Sequence, residues 1–455
     1  MELLKTIINY ILNLGAPVFV PFLMLIIGLC MKMKFKDAFS AALTLGVAFT
    51  GMNILIGFMM TSMGGAATAL AQNTGINLPA VDIGWPGMAS ISWAWPYAFL
   101  LFPLQICINI LMLITNQTKT LNVDMWNVWN KIFTAVLVSY FTNNILFGFV
   151  AAAIAIFLEL KIGDAFAPEV ERLTGIPGVT VPHFIALISI ILFPLDELLK
   201  KIPALNKKFD AEMLREKIGI FGENSVMGAI IGLVLGAAAG YGVAGSLTLA
   251  VQAACALTLF PMVSKLFSAA LSPISDAVSE FMRARFGDRE VYIGLDWPIL
   301  GGCSELWVSV ICTIPVLLVA SVVLPGNLVL PFAGIINLSF VVGSLLLTGG
   351  NLARMIIHGV VSAPLFLYAA TYFAPYITRL ANETGAIKDY AGNMVSWSTF
   401  EGPDFRYLIT HVMQGDIISI VLFVCWLGLF FLLLKNRATY NKNLLKNLLN
   451  NNDGL

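Results

Sequence analysis

Two ionisable side chains stand beside proline at the start of apolar segments, where a polar ligand could reach them. His183 follows a Val-Pro pair, and Asp296 precedes a Trp-Pro pair. Proline is tolerated in the first turn of a helix, where the backbone N–H groups have no partner within the helix. We predict that His183 and Asp296 bind hydroxyl groups of one polar ligand. Each also has a structural interpretation, His183 as a helix-start histidine hydrogen-bonded to a carbonyl and Asp296 as a plain N-cap.

The composition of the whole chain is that of a membrane protein. Of 455 residues, 58% are hydrophobic and 11% are charged, whereas soluble domains average roughly 45–50% and 25%. The 26 Lys and Arg balance the 26 Asp and Glu, so we expect no nucleic-acid partner. The 6 cysteines form no CxxC pair, which favours neither a disulfide framework nor a zinc site. The sequence also lacks the usual phosphate-binding and hydrolase motifs, so we expect no cofactor and no enzymatic centre.

Apolar runs of about 20 residues, long enough to cross a bilayer, recur along the whole chain. They predict an all-α polytopic domain of about eleven transmembrane helices over residues 1–434, followed by a basic cytoplasmic tail over 435–455. The stretch Thr61–Ser90 is expected to be re-entrant or interfacial. The predicted spans are Ile7–Cys30, Ala38–Met60, Ile91–Thr115, Ile132–Leu158, His183–Leu199, Asn224–Gly242, Ala244–Phe267, Gly302–Leu324, Val329–Thr348, Met355–Tyr376 and Gly415–Leu434.

Lysine and arginine set the expected orientation, because basic loops stay in the cytoplasm. The clearest basic segments are residues 32–36, Lys200–Lys217 and the tail after Leu434. Eleven crossings then place the N-terminus outside and the C-terminus in the cytoplasm of a bacterial inner-membrane protein. The same arrangement puts Arg172 outside.

A short motif predicts an internal repeat. Asp82 is followed by Trp85 and Pro86, and Asp296 is followed by another Trp-Pro pair. Each motif has two predicted spans before it and three after it, so we expect two inverted five-helix repeats, over about 7–199 and 224–376, with an extra helix at 415–434. Inverted repeats with broken helices often build a site near the bilayer midplane. The alternative is chance, since tryptophan is common at membrane interfaces.

Other polar and small residues in the spans allow two interpretations. Glu305 lies in the first turns of the eighth predicted span, where an ionisable group suggests function, although it could equally face water at the inner surface. Asn130 lies just before the fourth span and could bind hydroxyls, but amides also join transmembrane helices. Glycines at every fourth position from Gly228 to Gly240 are interpreted as a helix-packing face.

Several collinear motifs resemble those of the galactitol-type IIC permeases of the bacterial phosphoenolpyruvate-dependent phosphotransferase system. Together they extend over nearly the whole chain. They are Val81–Gly87, Leu121–Trp129, Val181–His183, Phe221–Glu223, Ile293–Asp296, Leu324–Asn327, Leu330–Phe332 and Gly350–Leu352.

The resemblance implies a homodimeric permease, related to the ascorbate-type permeases and surrounded by membrane lipid. In such a protein a mobile core domain carries a sugar or polyol past a dimerising scaffold by an elevator-type motion. The implied partners are IIA and IIB proteins, and the phosphocysteine of IIB phosphorylates the substrate, so the chain itself is a translocating subunit. The resemblance places His183 and Asp296 at the tips of two re-entrant elements around the sugar. It places the following residues nearby: Ser62, Asp82, Trp85 and Pro86.

The sequence departs from the galactitol permeases next to the expected pocket. Those permeases carry histidine where this chain has Asn130, and His-Thr-Ala where it has Cys303–Glu305, while Trp297 is unusual among them. We keep Asn130 and Glu305 as candidate substrate-binding residues, with galactitol as the leading substrate. The alternative is a proton-coupled secondary transporter of a small polar solute, with Asp296 or Glu305 as its proton site.

Overall fold

The computed structural model describes most of the chain: residues 16–30, 32–122, 124, 127–176, 178–207, 219–286, 291–336, 340–386 and 393–452. Parts of four predicted features lie outside the described residues. These are residues 7–15 of the first span, 208–217 of the basic loop, 337–339 of the ninth span and 453–455 of the tail.

The described residues form a predominantly helical membrane protein. Six of their helices are long and apolar enough to cross a bilayer, or seven if one bent pair counts as a single span. The α-helices are α1 Ala16–Cys30, α2 Phe35–Thr74, α3 Gly84–Trp93, α4 Ala98–Ile114, α5 Val128–Thr142, α6 Ile145–Thr174, α7 Ser189–Leu199, α8 Asn224–Ala238, α9 Gly242–Phe286, α10 Ser304–Val323, α11 Val341–Thr348, α12 Leu352–Glu383, α13 Pro403–Gln414 and α14 Ile417–Asn452.

Three of the predicted spans are not single straight helices. The run Ile132–Leu158 breaks at Asn143, whose φ of 51° is left-handed, and α6 restarts where Asn144 accepts a hydrogen bond from the Leu146 N–H. The run Ile91–Thr115 includes a 95° bend between α3 and α4. In the run Val329–Thr348, the described residues form a short strand, a 3₁₀ turn and the eight-residue helix α11. Apolar length alone therefore predicted too much continuous helix.

The stretch Thr61–Ser90 is only partly as predicted. Residues 61–74 continue α2, which is 40 residues long, so the expected re-entrant character is wrong there. The chain leaves the helix at Gly75, which has a φ of +75°, and then forms a short strand and α3.

Within the described part of the chain, six short strands form two parallel sheets that interlock the two halves. The strands are β1 Ala80–Asp82, β2 Thr120–Asn122, β3 Val179–Thr180, β4 Tyr292–Gly294, β5 Val329–Leu330 and β6 Met394–Ser396. One sheet has the order β5-β1-β6 and the other β2-β4-β3. In each sheet the central strand comes from one half of the chain and both flanking strands from the other. The sheets thereby satisfy extended backbone where the helices are interrupted.

Helices α1, α2, α8 and α9 pack as a group, with α8 tight against α9. A Cβ atom on Gly232 would lie 2.6 Å from the Leu249 carbonyl oxygen, and one on Gly228 would lie 2.7 Å from the Ala253 oxygen. The glycines therefore let two backbones approach closely. The packing interpretation of this glycine face is confirmed.

Three arginines converge on the C-terminal end of α11. Arg172 from α6 donates to the Gly349 oxygen at 2.9 Å, Arg354 donates to the Thr348 oxygen, and Arg437 from α14 donates to the Leu346 and Leu347 oxygens. Cations stabilise unpaired carbonyls at a helix C-terminus. Arg172 and Arg437 are therefore at the same end of the molecule, so placing Arg172 outside and the tail inside is wrong.

The chain from Arg172 to Lys200 begins and ends near this same helix end. Arg354 pairs with Asp196 of α7 at 2.6 Å, and Lys200 lies 3.2 Å from the same carboxylate, while Arg172 ends the preceding helix. The chain between Arg172 and Lys200 therefore does not cross from one end to the other. The predicted fifth span, His183–Leu199, is therefore not one continuous helix, since it consists of the 3₁₀ turn Phe184–Ile188 followed by the 11 residues of α7.

The carboxylate of Asp82 ties together three segments that are distant in sequence. Its Oδ1 accepts from the N–H groups of Gly84 and Ser398. Its Oδ2 accepts from the N–H groups of Phe332 and Gly334 at 2.9 and 2.8 Å and from the Ser398 hydroxyl. The side chain is fully buried. This one carboxylate thus joins the ends of β1, β5 and β6.

The variant Asp82→Asn tests this role. An amide NH₂ in place of Oδ2 faces three donors and satisfies none, and each lost charge-assisted bond costs about 1.5–3 kcal/mol. We expect unfolding of the purified protein to become easier by at least ~2 kcal/mol, with a lower melting temperature in detergent. A variant as stable as the parent would show that the five-bond arrangement contributes little.

Candidate functional site

His183 uses one ring nitrogen to cap its own helix and leaves the other for a partner. Its Nδ1 accepts the Ile185 N–H at 3.1 Å at the start of the 3₁₀ turn Phe184–Ile188. A neutral imidazole has one acceptor and one donor nitrogen, so this bond places the proton on Nε2. His183 is therefore a helix-start residue, as the structural interpretation has it, but its partner is a backbone N–H and not a carbonyl. Nε2 remains available as a donor.

Asp296 lies opposite that donor, on the other half of the chain. Its Oδ1 accepts the Trp297 N–H at 2.7 Å and caps the 3₁₀ turn Trp297–Gly302. Oδ1 lies 3.7 Å from the His183 Nε2, which is too long for a direct hydrogen bond. The Asp296 side chain keeps 32% of its surface exposed, whereas His183 keeps 2%. A hydroxyl group beside the pair could contact both side chains.

A polar turn before α5 borders the Asp296 carboxylate. The Asn127 N–H donates to Asp124 Oδ1 at 3.2 Å, and its side-chain amide donates to Asp124 Oδ2. Asp124 and Asn127 are both electrostatic neighbours of Asp296, as is Glu401. The region around Asp296 is therefore rich in acceptors, which suits a ligand with many hydroxyl donors.

Asn130 belongs to the same region and is held by an arginine from the far end of the chain. The Arg406 Nη2 donates to the backbone oxygen of Asn130 at 3.0 Å and to its Oδ1 at 2.8 Å. Both side chains are fully buried. The other side-chain atom of Asn130, Nδ2, has the Glu401 carboxylate as its acidic neighbour.

A buried ion pair lies behind these residues. The Lys131 Nζ is 2.7 Å from the Glu159 Oε2, and the two side chains are 0% and 1% exposed. Lys131 and Arg406 are the cationic side chains whose charges act on His183. Ion pairs of this kind cost desolvation energy and are rarely retained for stability alone.

The two Trp-Pro turns carry their aspartates at different positions. Aligning Trp85 with Trp297 matches Asp82 with Gly294 and aligns β1 with β4 residue by residue. A Cβ atom on Gly294 would lie 2.6 Å from the Pro182 Cγ, so the second turn has no room for the carboxylate that fills the first. Asp296 stands two residues further on and faces the His183 Nε2 instead.

The remaining candidates lie elsewhere. All oxygens of Asp82 already accept protein hydrogen bonds, and Trp85 and Pro86 form the first turn of α3 beside it. The Ser62 hydroxyl on α2 donates to the Phe58 oxygen at 2.8 Å. Glu305 faces the turn at Gly350, where an added Cβ would be 3.8 Å from its Cδ. The structure places His183 and Asp296 3.7 Å apart and links Asn130 to Arg406 and Glu401, while a ligand role for every candidate stays a prediction.

Sequence reasoning missed much of this cluster. Lys131 and Glu159 directly flank the fourth predicted span, Ile132–Leu158, so neither was recognised as a charge at membrane depth, which is itself a signal of function. Glu401 and Arg406 gave no such signal, because they fell between predicted spans. The set that the sequence did not single out is Asp124, Asn127, Lys131, Glu159, Glu401 and Arg406.

Comparison with known proteins shows the family to which this chain is related. The family model described as "PTS system sugar-specific permease component" matches residues 10–390. The chain is 36% identical over 411 residues to the galactitol-specific EIIC component of the PTS system of Escherichia coli K12, covering 90% of this chain and 91% of that protein. It is 32% identical over 428 residues to a putative permease IIC component of the same organism, covering 91% and 98%. The chain therefore belongs to the family of sugar-specific permease components of the phosphotransferase system.

Proposed function

We propose that this chain binds a polyol such as galactitol and carries it across the bacterial inner membrane, to be phosphorylated by a IIB partner that receives its phosphoryl group from IIA. The support is the identity with the galactitol-specific relative over nine tenths of both chains. The observation that carries the proposal is the His183 Nε2 facing the Asp296 carboxylate at 3.7 Å. This pair offers one donor and one acceptor to vicinal hydroxyl groups.

The charge of the site suits the binding of an uncharged substrate and the release of a phosphorylated product. Asp296, Asp124 and Glu401 are neighbours, whereas the nearby cations are already engaged with protein groups. A neutral polyol satisfies carboxylates through its hydroxyls. A phosphate group would be repelled by them at short range in a low dielectric, so phosphorylation favours release. In this mechanism the chain binds and translocates and is not itself phosphorylated.

We further propose that the two halves are inverted repeats. The exchange of strands supports this. Strand β1 of the first half lies between β5 and β6 of the second half, and β4 of the second half lies between β2 and β3 of the first. The element order also corresponds: α1 and α2 match α8 and α9, while α7 matches α13. This correspondence extends the second repeat to about Gln414, beyond the end at 376 expected from the apolar runs, and leaves α14 as the extra helix.

The packing suggests how the domains divide. Helices α1, α2, α8 and α9 would form the scaffold through which two copies of the chain dimerise, and the remaining elements would form the core that carries the site. Exposed apolar side chains along these four helices, such as Phe39, Leu43 and Val251, suit contact with lipid or a second copy. An elevator-type motion would move the core, and with it both His183 and Asp296, as one unit.

The orientation follows from the basic end of the molecule. Lys200 and Arg437 lie at one end, together with the entry to the basic loop and the tail. By the positive-inside rule this end faces the cytoplasm. The C-terminus is then cytoplasmic, as the charge pattern predicts.

The source of energy for uptake distinguishes this proposal from a proton-coupled transporter. The buried carboxylates Glu159 and Glu401 would suit proton transfer in such a transporter. Membrane vesicles containing the chain should take up labelled galactitol only when phosphoenolpyruvate, the general phosphotransferase proteins, IIA and IIB are supplied. The product inside should be the phosphorylated polyol. Unmodified galactitol accumulated by a proton gradient without IIB would contradict the proposal.

The variants His183→Ala and Asp296→Asn test the site. Each removes a partner of a buried ligand hydroxyl, which costs about 1–3 kcal/mol, so galactitol affinity should fall tenfold or more. Isothermal titration with the purified protein measures this. The control is Asn144→Ala, which removes the cap of α6 and should lower stability by ~1 kcal/mol while leaving affinity unchanged. Unchanged affinity in both site variants would rule out this pocket.

A further inference from the structure

We propose that Arg406 is a positioning residue of the binding site, which holds Asn130 and the His183 turn in register without touching the ligand. This inference rests on the proposed function, since it concerns the same site. Arg406 lies on α13, in the second half of the chain, whereas Asn130 and His183 belong to the first. Arg406 is fully buried, so its guanidinium can act only through protein groups.

The guanidinium is bound at all three of its nitrogens. Its Nε donates to the Thr134 hydroxyl at 3.2 Å, its Nη1 to the Glu401 backbone oxygen, and its Nη2 to Asn130 at two oxygens. A buried cation must have its hydrogen bonds satisfied, and these four oxygens exceed the three donors of a lysine ammonium, whereas the planar fork of arginine carries five. The Asn130 Oδ1 is thereby fixed as the acceptor of Arg406. Its Nδ2 is left as the donor towards the acidic neighbours of Asp296.

The same group supports His183 through the next residue. The Arg406 Cζ lies 4.2 Å from the centre of the Phe184 ring, a cation–π contact that is strong when desolvated. Phe184 follows His183 directly and begins its 3₁₀ turn. On its other side the ring meets Gly402, where an added Cβ would be 2.0 Å from the Phe184 Cε1 and where φ is +55°. The ring has no room to shift, so the backbone of His183 is set by this packing.

Arg437 provides a matched control. It is also buried, its Nη2 donates to two backbone oxygens, and its guanidinium lies 4.5 Å from the centre of the Phe166 ring. Arg437 makes these contacts at the C-terminal end of α11, away from His183. An Arg→Lys change at either position keeps the charge and removes the fork.

The test compares Arg406→Lys with Arg437→Lys by titration with galactitol and by melting temperature in detergent. We expect Arg406→Lys to lower affinity about tenfold and Arg437→Lys to change it less than twofold, with similar losses of melting temperature. In a His183→Ala background, Arg406→Lys should add less than twofold, because residues that act through one another are not additive. A folded Arg406→Lys protein with parental affinity would overturn the inference, and so would full additivity.

Two further outcomes separate this inference from the proposed function. If His183→Ala lowers affinity and Arg406→Lys does not, only the positioning role fails, whereas unchanged affinity in His183→Ala removes the site itself. If Arg406→Lys is not recovered folded, the isosteric Thr134→Val removes one acceptor of Arg406. Its affinity should fall twofold or more, and parental affinity would count against the inference.

Discussion

Backbone groups inside a membrane must find their hydrogen-bond partners within the protein, because the hydrocarbon offers none. This chain interrupts its helices near residues 80, 120, 180, 293, 330 and 395, and the two exchanged sheets satisfy the extended backbone at those points. Asp82 completes the arrangement by accepting from Gly84, Phe332, Gly334 and Ser398. Because each sheet needs strands from both halves, neither half can build its interrupted helices alone.

The binding chemistry follows from the same interruptions. A broken helix exposes unpaired N–H groups at its start, and the caps at two such starts are His183 and Asp296. His183 caps through Nδ1 and leaves Nε2 facing Asp296, while Asp296 caps through Oδ1, the oxygen that lies 3.7 Å from that Nε2. The structural and the ligand-binding interpretations of these residues are therefore compatible. Arg406 connects the two halves behind them, through Asn130 and the ring of Phe184.

The sequence predicted membrane class and family, since these depend on composition and on collinear motifs. It also singled out His183 and Asp296 as polar residues beside proline, and the structure places them 3.7 Å apart, while their ligand role stays a prediction. It failed where the answer depends on distant contacts. Nothing local shows that Asn143 ends a helix, that Arg172 meets Gly349, or that Arg406 reaches Asn130 across 276 positions. The repeat motif also misled, because Asp82 and Asp296 look alike in sequence but occupy different positions in their turns.

The central claim is that one polyol lies between side chains from the two halves of the chain. A cryo-electron microscopy structure of the purified protein with galactitol tests this most directly. The account predicts ligand density within hydrogen-bond distance of both the His183 Nε2 and the Asp296 carboxylate. Density in another cavity, with no ligand contact at either side chain, would contradict it.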